Sequence, residues 1–327
     1  MKNTDDLTIN KFMPALFLTI LVFIGLVLLG DIRQVGTLVS AFDWRYFALA
    51  IVFTLFNYVL RFFKWHYYIR LLGVANLSLY ESAKLFVGGF PLAVTPGKIG
   101  EVLKALWLNQ KSGLPLPQGV SVVVAERLSD GLAVLGLSTL GVISFPEYWL
   151  VFISVLLLLV SLVVVSQVKP LAFWILDRMA ALPVLKKISS PAREFYEGSN
   201  FLFKPRALVI AVGIGLVSWL GEGIGFYFIL QGLGLPPGSH LAALAVFVLS
   251  FSTIVGAVST LPGGLGAIEA SIAGMLTLLG GVASPVAATA TLLVRLATLW
   301  FGVLLGLLVW LIAPELIGLR RSHGRPD

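Results

Sequence analysis

What most limits this chain is a series of long apolar windows, at 14–29, 47–60, 131–144, 148–168, 207–230 and 285–313, broken inside only by Glu222 and Arg295. Crossing a hydrocarbon core takes about 20 such residues in a helix. Backbone amides that face lipid find partners only within their own helix, so a chain that crosses repeatedly must be mainly helical. A barrel would instead show short segments of alternating polarity, and none is visible. Hydrophobic residues make up 58% of the 327 and charged residues 12%, more apolar surface than a soluble protein can cover. The expectation is an all-α integral membrane protein, with 1–327 forming a single transmembrane domain.

The net charge of +7 is small beside that apolar bulk, and nucleic acid is not implied. Across 169–206, Lys169, Arg178, Lys186, Lys187, Arg193, Lys204 and Arg206 outnumber Asp177, Glu194 and Glu197. The linker 169–205 is therefore expected in the cytoplasm by the positive-inside bias, with an amphipathic helix lying on the surface. Arg61, Lys64 and Arg70, and near the end Arg320, Arg321 and Arg325, ask for the same side, whereas 145–147 and 232–239 hold no Lys or Arg. Both termini are then cytoplasmic and the membrane is the cell membrane. The first apolar stretch ends Leu-Leu-Gly-Asp, without a small-x-small cleavage pattern, and reads as a retained helix. With no Cys and three scattered His, neither a cofactor nor a metal is expected. No nucleophile–base pair or phosphate-binding loop is visible, so an enzyme is not expected.

The chain uses one unit twice. "TPGKIGEVLKA" at 95–105 recurs in outline as "LPGGLGAIEAS" at 261–271, sharing Pro-Gly, a spaced Ile or Leu, then Gly, and each is followed by a glutamate, Glu101 and Glu269. An arginine within an apolar run comes next at nearly equal spacing, Arg127 after Pro96 and Arg295 after Pro262. This order of features predicts a duplication, with 46–143 as one copy and 206–313 as the other. If each Pro-Gly element is a re-entrant hairpin, six spans remain, and an odd number of crossings separates the two hairpins. The copies are then inverted relative to one another. The arms of the second hairpin, 239–261 and 264–282, are also long enough to span, which leaves the parity unchanged.

Inverted repeats with broken helices are the usual build of secondary transporters, whose ligand site lies at the repeat interface. Helices starting after Gly97 and Gly264 would aim backbone N–H groups at that interface, where a phosphate or carboxylate fits. The bland alternative is that Pro and Gly merely allow close packing. Arg127 and Arg295 are costly at bilayer depth unless paired or wetted, which makes them functional candidates. Arg127 can reach Asp130 one helical turn on, and Glu126 shares a face with Asp130. The alternative is structural pairing, Arg127 with Glu101 and Arg295 with Glu269. Glu222, between glycines in "WLGEGIGF", is a candidate coupling site together with Asp130, or an inert interior hydrogen-bonder. "RFFKWHYYIR" at 61–70 reads first as interfacial anchoring beside lipid headgroups, with a route for an anionic headgroup as the alternative.

"PGKIGEVLKA", "AERLSDG", "LPGGLGAIEA" and "LLVRLATLWFG" resemble, in that order, the lysylphosphatidylglycerol synthase transmembrane region family, also called flippase-like or UPF0104. The resemblance covers about residues 15–315. It implies a multi-span membrane protein akin to the region that flips aminoacylated phosphatidylglycerol in the multiple-peptide-resistance synthases. Carried over, Gly97, Glu101, Glu126 and Arg127 match the first motif pair, and Pro262, Gly263, Glu269 and Arg295 the second. This sequence does not include the aminoacyl-transferase domain of those synthases, so only the transport part is resembled. Lys98 stands where Arg is often seen, keeping the charge but losing a bidentate grip. Family members of this kind have also been linked to polyprenyl-phosphate-sugar pathways.

The sequence thus points to a flippase for an anionic phosphate-headgroup lipid, with Gly97, Lys98, Glu101, Glu126, Arg127, Gly263, Gly264, Glu269 and Arg295 as substrate-binding candidates. The expected partners are the lipid itself and anionic headgroups at the cytoplasmic face, with association into a homo-oligomer left open. A transporter of a small soluble anion, or a membrane assembly factor, remains the rival reading.

Overall fold

Helix boundaries follow local chemistry. Asp43 caps the helix Trp44–Leu71, its carboxylate accepting from the Arg45 amide at 3.0 Å, and Ser78 caps Leu79–Gly88 by accepting from the Glu81 amide at 3.1 Å, the usual satisfaction of first-turn donors. Gly113 ends the helix Val102–Ser112 at φ 77, where a left-handed residue is needed. Proline opens the helix Pro205–Gly232 and, as Pro285, sits in the first turn of Ser284–Arg295, where its missing N–H costs nothing.

A computed structural model describes residues 24–25, 31–95, 100–144, 149–150, 153–154, 156–158, 161 and 186–317. In order, the helices are α1 (Ile32–Ala41), α2 (Trp44–Leu71), α3 (Leu79–Gly88), α4 (Val102–Ser112), α5 (Leu116–Ser144), α6 (Lys186–Leu202), α7 (Pro205–Gly232), α8 (Ser239–Val258), α9 (Ala267–Leu278), α10 (Ser284–Arg295) and α11 (Phe301–Ile312). Short 3-10 turns lie at Phe90–Val94, Pro262–Gly264 and Pro314–Ile317, and a π turn at Leu296–Trp300 joins α10 to α11. Among the described residues there is no strand. The expected spans at 14–29 and 148–168 fall almost wholly outside the described residues. So do linker residues 169–185, the first Pro-Gly tip with Gly97 and Lys98, and the C-terminal arginines.

Among the described residues, four helical stretches are long and apolar enough to cross a membrane: Trp44–Leu71, Pro205–Gly232, Ser239–Val258 and Ser284–Ile312. The protein is a mainly helical membrane protein. α5 has the length to cross but carries Glu126, Arg127 and Asp130 near its middle. The arms beside the two Pro-Gly breaks differ, since α3, α4 and α9 are short while α8 has spanning length.

α2 and α7 form the most extensive helix pair, and glycines let them close. A Cβ at Gly221 would lie 2.8 Å from the Phe56 ring, and one at Gly225 would lie 3.3 Å from the Ala50 carbonyl. Gly223 does the same toward α8, where a Cβ would meet Val246 at 2.8 Å. Two apolar clusters result. One gathers α7, α8, α9 and α10 around Phe226, Phe247 and Leu276. The other gathers α2, α3, α4 and α5 around Trp65, Phe86 and Leu108. Large apolar side chains such as Val52, Val59, Val209, Leu304 and Leu311 stay exposed, as a lipid-facing surface requires.

The segment 61–70 departs from the interfacial reading. α2 continues unbroken to Leu71, so its helical period turns Lys64, Trp65, Tyr68 and Ile69 into the protein, where all four are buried. Arg70 keeps a boundary role, with its guanidinium donating to the carbonyls of Val74 and Ala75 at 3.2 and 2.9 Å. The described part of the linker, α6, does not merely lie on a surface. It packs along α5, burying Tyr196, Ser199 and Leu202.

Candidate functional site

The charged side chains of the mid-helix regions converge. On α5, Glu126 accepts from Lys104 Nζ of α4 at 2.6 Å. Lys104 also lies over the rings of Trp65 and Phe86, 4.3 and 5.2 Å from their centroids, so its ammonium is held by a carboxylate and two π faces. Asp130, one turn further along, draws three cations: Lys64 in a short ion pair, Arg61 at 3.4 Å and Arg127 at 3.8 Å. Trp219 of α7 donates to the same carboxylate at 3.2 Å and lies under Arg61. Lys64, 0% exposed, can carry a charge inside the fold only beside such a partner.

The second half has its own pair. Arg295 Nε donates to Glu269 Oε1 at 2.6 Å, and Arg295 Nη2 donates to the Gly263 carbonyl at 2.9 Å. The other oxygen of Glu269 accepts from the Gly266 amide at 2.7 Å, so the start of α9 supplies its own anion rather than a free set of N–H groups. In the first half Arg127 Nε stands 3.3 Å from Glu101. Glu101 and Glu269 therefore each pair with the arginine that follows in sequence, the structural alternative for these charges.

The turn that precedes the first Pro-Gly meets the second Pro-Gly turn. The 3-10 turn Phe90–Val94, which leads into the first, packs on Pro262–Gly264, where Gly263 adopts φ 59 and a Cβ would lie 3.3 Å from Val94. Beside them opens a cavity of about 150 Å³. Arg61, Lys104, Arg127 and Arg295 reach its wall, with Glu101, Glu222, Tyr58, Trp219, Thr253 and Gly263. Glu126, Asp130 and Glu269 do not line it; each stands behind and holds a lining cation. The helices from both halves share this wall, from α2 through the π turn, a feature that recurs at functional sites. Tyr58 donates to the Thr298 carbonyl at 2.6 Å, fixing that turn.

Of the residues singled out in the sequence, Glu101, Arg127, Gly263, Arg295 and Glu222 come together on the cavity wall, and Glu126, Asp130 and Glu269 lie one layer back. Gly264 sits beside them in the second Pro-Gly turn. Glu222 is 7% exposed and, among the described residues, has neither a hydrogen bond nor an ion pair. No group of residues suited to a metal occurs among the described residues.

Residues 16–306 match the family described as Lysylphosphatidylglycerol synthase TM region. The chain belongs to that family. Two UPF0104 membrane proteins of Methanothermobacter thermautotrophicus are similar to it. One is 26% identical over 88% of this chain and 90% of its own length. The other is 27% identical over 79% and 82%. A UPF0104 membrane protein of Pyrococcus horikoshii is 24% identical over 89% of this chain and 95% of its own. No solved structure matches.

In this member of the family the site also takes in Tyr58, Lys104 and Trp219, which the sequence did not single out as site residues, and Arg61 and Lys64 of the 61–70 segment. For α2 a signal was present. Arg61, Lys64 and Tyr68 recur at helical spacing with Asn57, which is fully buried, so one face of that helix was polar well inside an apolar span.

Proposed function

We propose that this membrane protein moves a lipid with an anionic phosphate headgroup between the leaflets of the cytoplasmic membrane, with no covalent chemistry. The observation that carries the reading is the cavity wall bearing Arg61, Lys104, Arg127 and Arg295. Cations in a low-dielectric interior are costly unless they have work to do, and guanidinium groups bind phosphate oxygens through paired, charge-assisted hydrogen bonds. The carboxylates behind them keep the cations charged without filling the cavity. At about 150 Å³ the space suits a headgroup, the acyl chains staying in the bilayer.

The doubled Glu–Arg pairing and the contact of the turn Phe90–Val94 with Pro262–Gly264 support an inverted repeat, with hairpins entering from opposite faces. In that arrangement the termini and the basic linker are cytoplasmic. Basic linker residues would then meet anionic headgroups of the inner leaflet. Membership of the Lysylphosphatidylglycerol synthase TM region family supports a flippase-like role.

The test is translocation of a fluorescent phosphatidylglycerol in proteoliposomes. Arg127→Ala and Arg295→Ala, each checked for folding and insertion, are expected to lose transport, and Arg127→Gln provides a milder third variant. Parental rates in all three reject the assignment. A second reading, transport of a small soluble anion, draws on the cavity's small size. Uptake of radiolabelled sulfate by the same vesicles, without lipid movement, would favour it. An assembly factor needs neither a cavity nor an unpartnered Glu222.

A further inference from the structure

Glu222 differs from the other acids of the cluster. Asp130 is engaged by Arg61, Lys64, Arg127 and Trp219, Glu126 by Lys104, and Glu269 by Arg295 and the Gly266 amide. Glu222 lines the cavity with no such partner among the described residues. Its neighbours Gly221 and Gly223 let α2 and α8 close on either side, so the carboxylate is aimed at the cavity and shielded elsewhere.

We infer that Glu222 binds one proton together with each anionic headgroup, so that headgroup and proton occupy the cavity as a unit. The inference rests on the anion-binding reading above. The charged groups facing Glu222 are Arg61 of α2, Asp130 of α5 and Arg295 of α10, with the Tyr58 hydroxyl of α2 close by. Glu101, Lys104 and Arg127 stand on the same cavity wall. α8 contributes Leu249 and Thr253, which do not titrate, and no residue of α6 lines the cavity. Asp130 and Glu269 already hold Arg61 and Arg295, and Glu222 adds one more carboxylate to the wall that those guanidinium groups share. An incoming phosphodiester drawn to the guanidinium groups brings a negative charge beside that carboxylate, which in a low dielectric is repulsive while the carboxylate is ionised. A proton moving from water to a Glu222 carboxylate oxygen removes the repulsion; no other bond changes. Arg61 and Arg295 likewise oppose an ammonium or metal ion at Glu222, which favours the proton as the occupant.

Linkage makes the two bindings reciprocal: anion binding draws in the proton, and lower pH strengthens anion binding. The test uses the full chain in a neutral detergent, weakly buffered, with a pH indicator. Dihexanoyl phosphatidylglycerol and sulfate serve as probes, since neither carries a titrating proton near neutrality. The parent is expected to take up about one proton per anion bound, its affinity falling as pH rises by up to about tenfold per unit. Glu222→Gln should bind the lipid probe with no uptake and no such pH dependence. Uptake with sulfate as well as lipid supports the linkage and assigns it to any compact anion; uptake with lipid alone supports it and ties it to the headgroup. Lipid binding without uptake by the parent, or undiminished uptake by a folded Glu222→Gln, overturns the inference while leaving the anion site intact. Failure of both probes to bind removes the anion site and the inference with it. If Glu222→Gln does not fold, the parent's own proton count and pH dependence still decide.

Discussion

Arg295 and Glu269 form a buried ion pair at 2.6 Å that ties the end of α10 to the first turn of α9. The Gly263 carbonyl and the Gly266 amide complete it at 2.9 and 2.7 Å, so the pair fixes the second Pro-Gly turn as well as two helices. Removing one member of a buried pair strands the other charge and costs about 3 kcal/mol or more, whereas neutralising both is far milder. Glu269→Ala and Arg295→Met alone should each lower the thermal midpoint in detergent markedly. The double variant should lose much less than their sum. Additive losses would mean that the two residues stabilise the fold independently.

Gly306 of α11 faces the turn Phe90–Val94 and the end of α3. A Cβ there would collide with the Pro91 ring and come 2.8 Å from the Val87 carbonyl. Neither a proline ring nor a backbone carbonyl can swing aside, and overpacking of this kind costs about 1–3 kcal/mol. Gly306→Ala is expected to destabilise by that amount. Gly274→Ala, whose Cβ meets nothing within 4 Å, should be neutral or stabilising in the same melt, as alanine favours a helix.

The order of Pro-Gly, glutamate and arginine, met twice at nearly equal spacing, is legible in one dimension. That order named both pairings found in space, Arg127 with Glu101 and Arg295 with Glu269. Helix class and most helix positions were legible for the same reason that hydropathy works in membranes: lipid leaves the backbone few options. The direction in which a basic residue near a helix end turns was not legible. Lys64 and Lys104 look like boundary residues in sequence, since their charge suits headgroups. Only the partners Asp130 and Glu126, on another helix, make burial affordable. The link from Trp219 to Asp130 depends on how α7 leans on α5, which no local pattern encodes.

Tyr58 donates to the Thr298 carbonyl at 2.6 Å, within the π turn that follows Arg295. A π turn leaves its carbonyls poorly used within the helix, and a buried unsatisfied acceptor costs about 1–3 kcal/mol. Tyr58→Phe removes only the hydroxyl. It should lower the thermal midpoint modestly and, because Thr298 and Arg295 share the cavity wall, reduce lipid translocation more than stability. Equal translocation by the two proteins would place the π turn outside the transport cycle.

Ala93 offers a test of the cavity that leaves every charge in place. It lies in the 3-10 turn Phe90–Val94, is only partly buried, and borders the cavity beside Gly263 and Arg295. A phenyl ring there would occupy space that a headgroup needs, while the ion pairs of Arg127, Lys104 and Arg295 involve other atoms. Ala93→Phe is therefore expected to keep a near-parental thermal midpoint, or even to raise it by filling a void. Its lipid translocation in proteoliposomes should fall at least about tenfold, equivalent to losing about 1.4 kcal/mol of binding. Ala93→Ser, with no added bulk, should translocate normally. Parental translocation by a folded Ala93→Phe protein would mean that lipid passes elsewhere, since a route through this cavity cannot tolerate the ring.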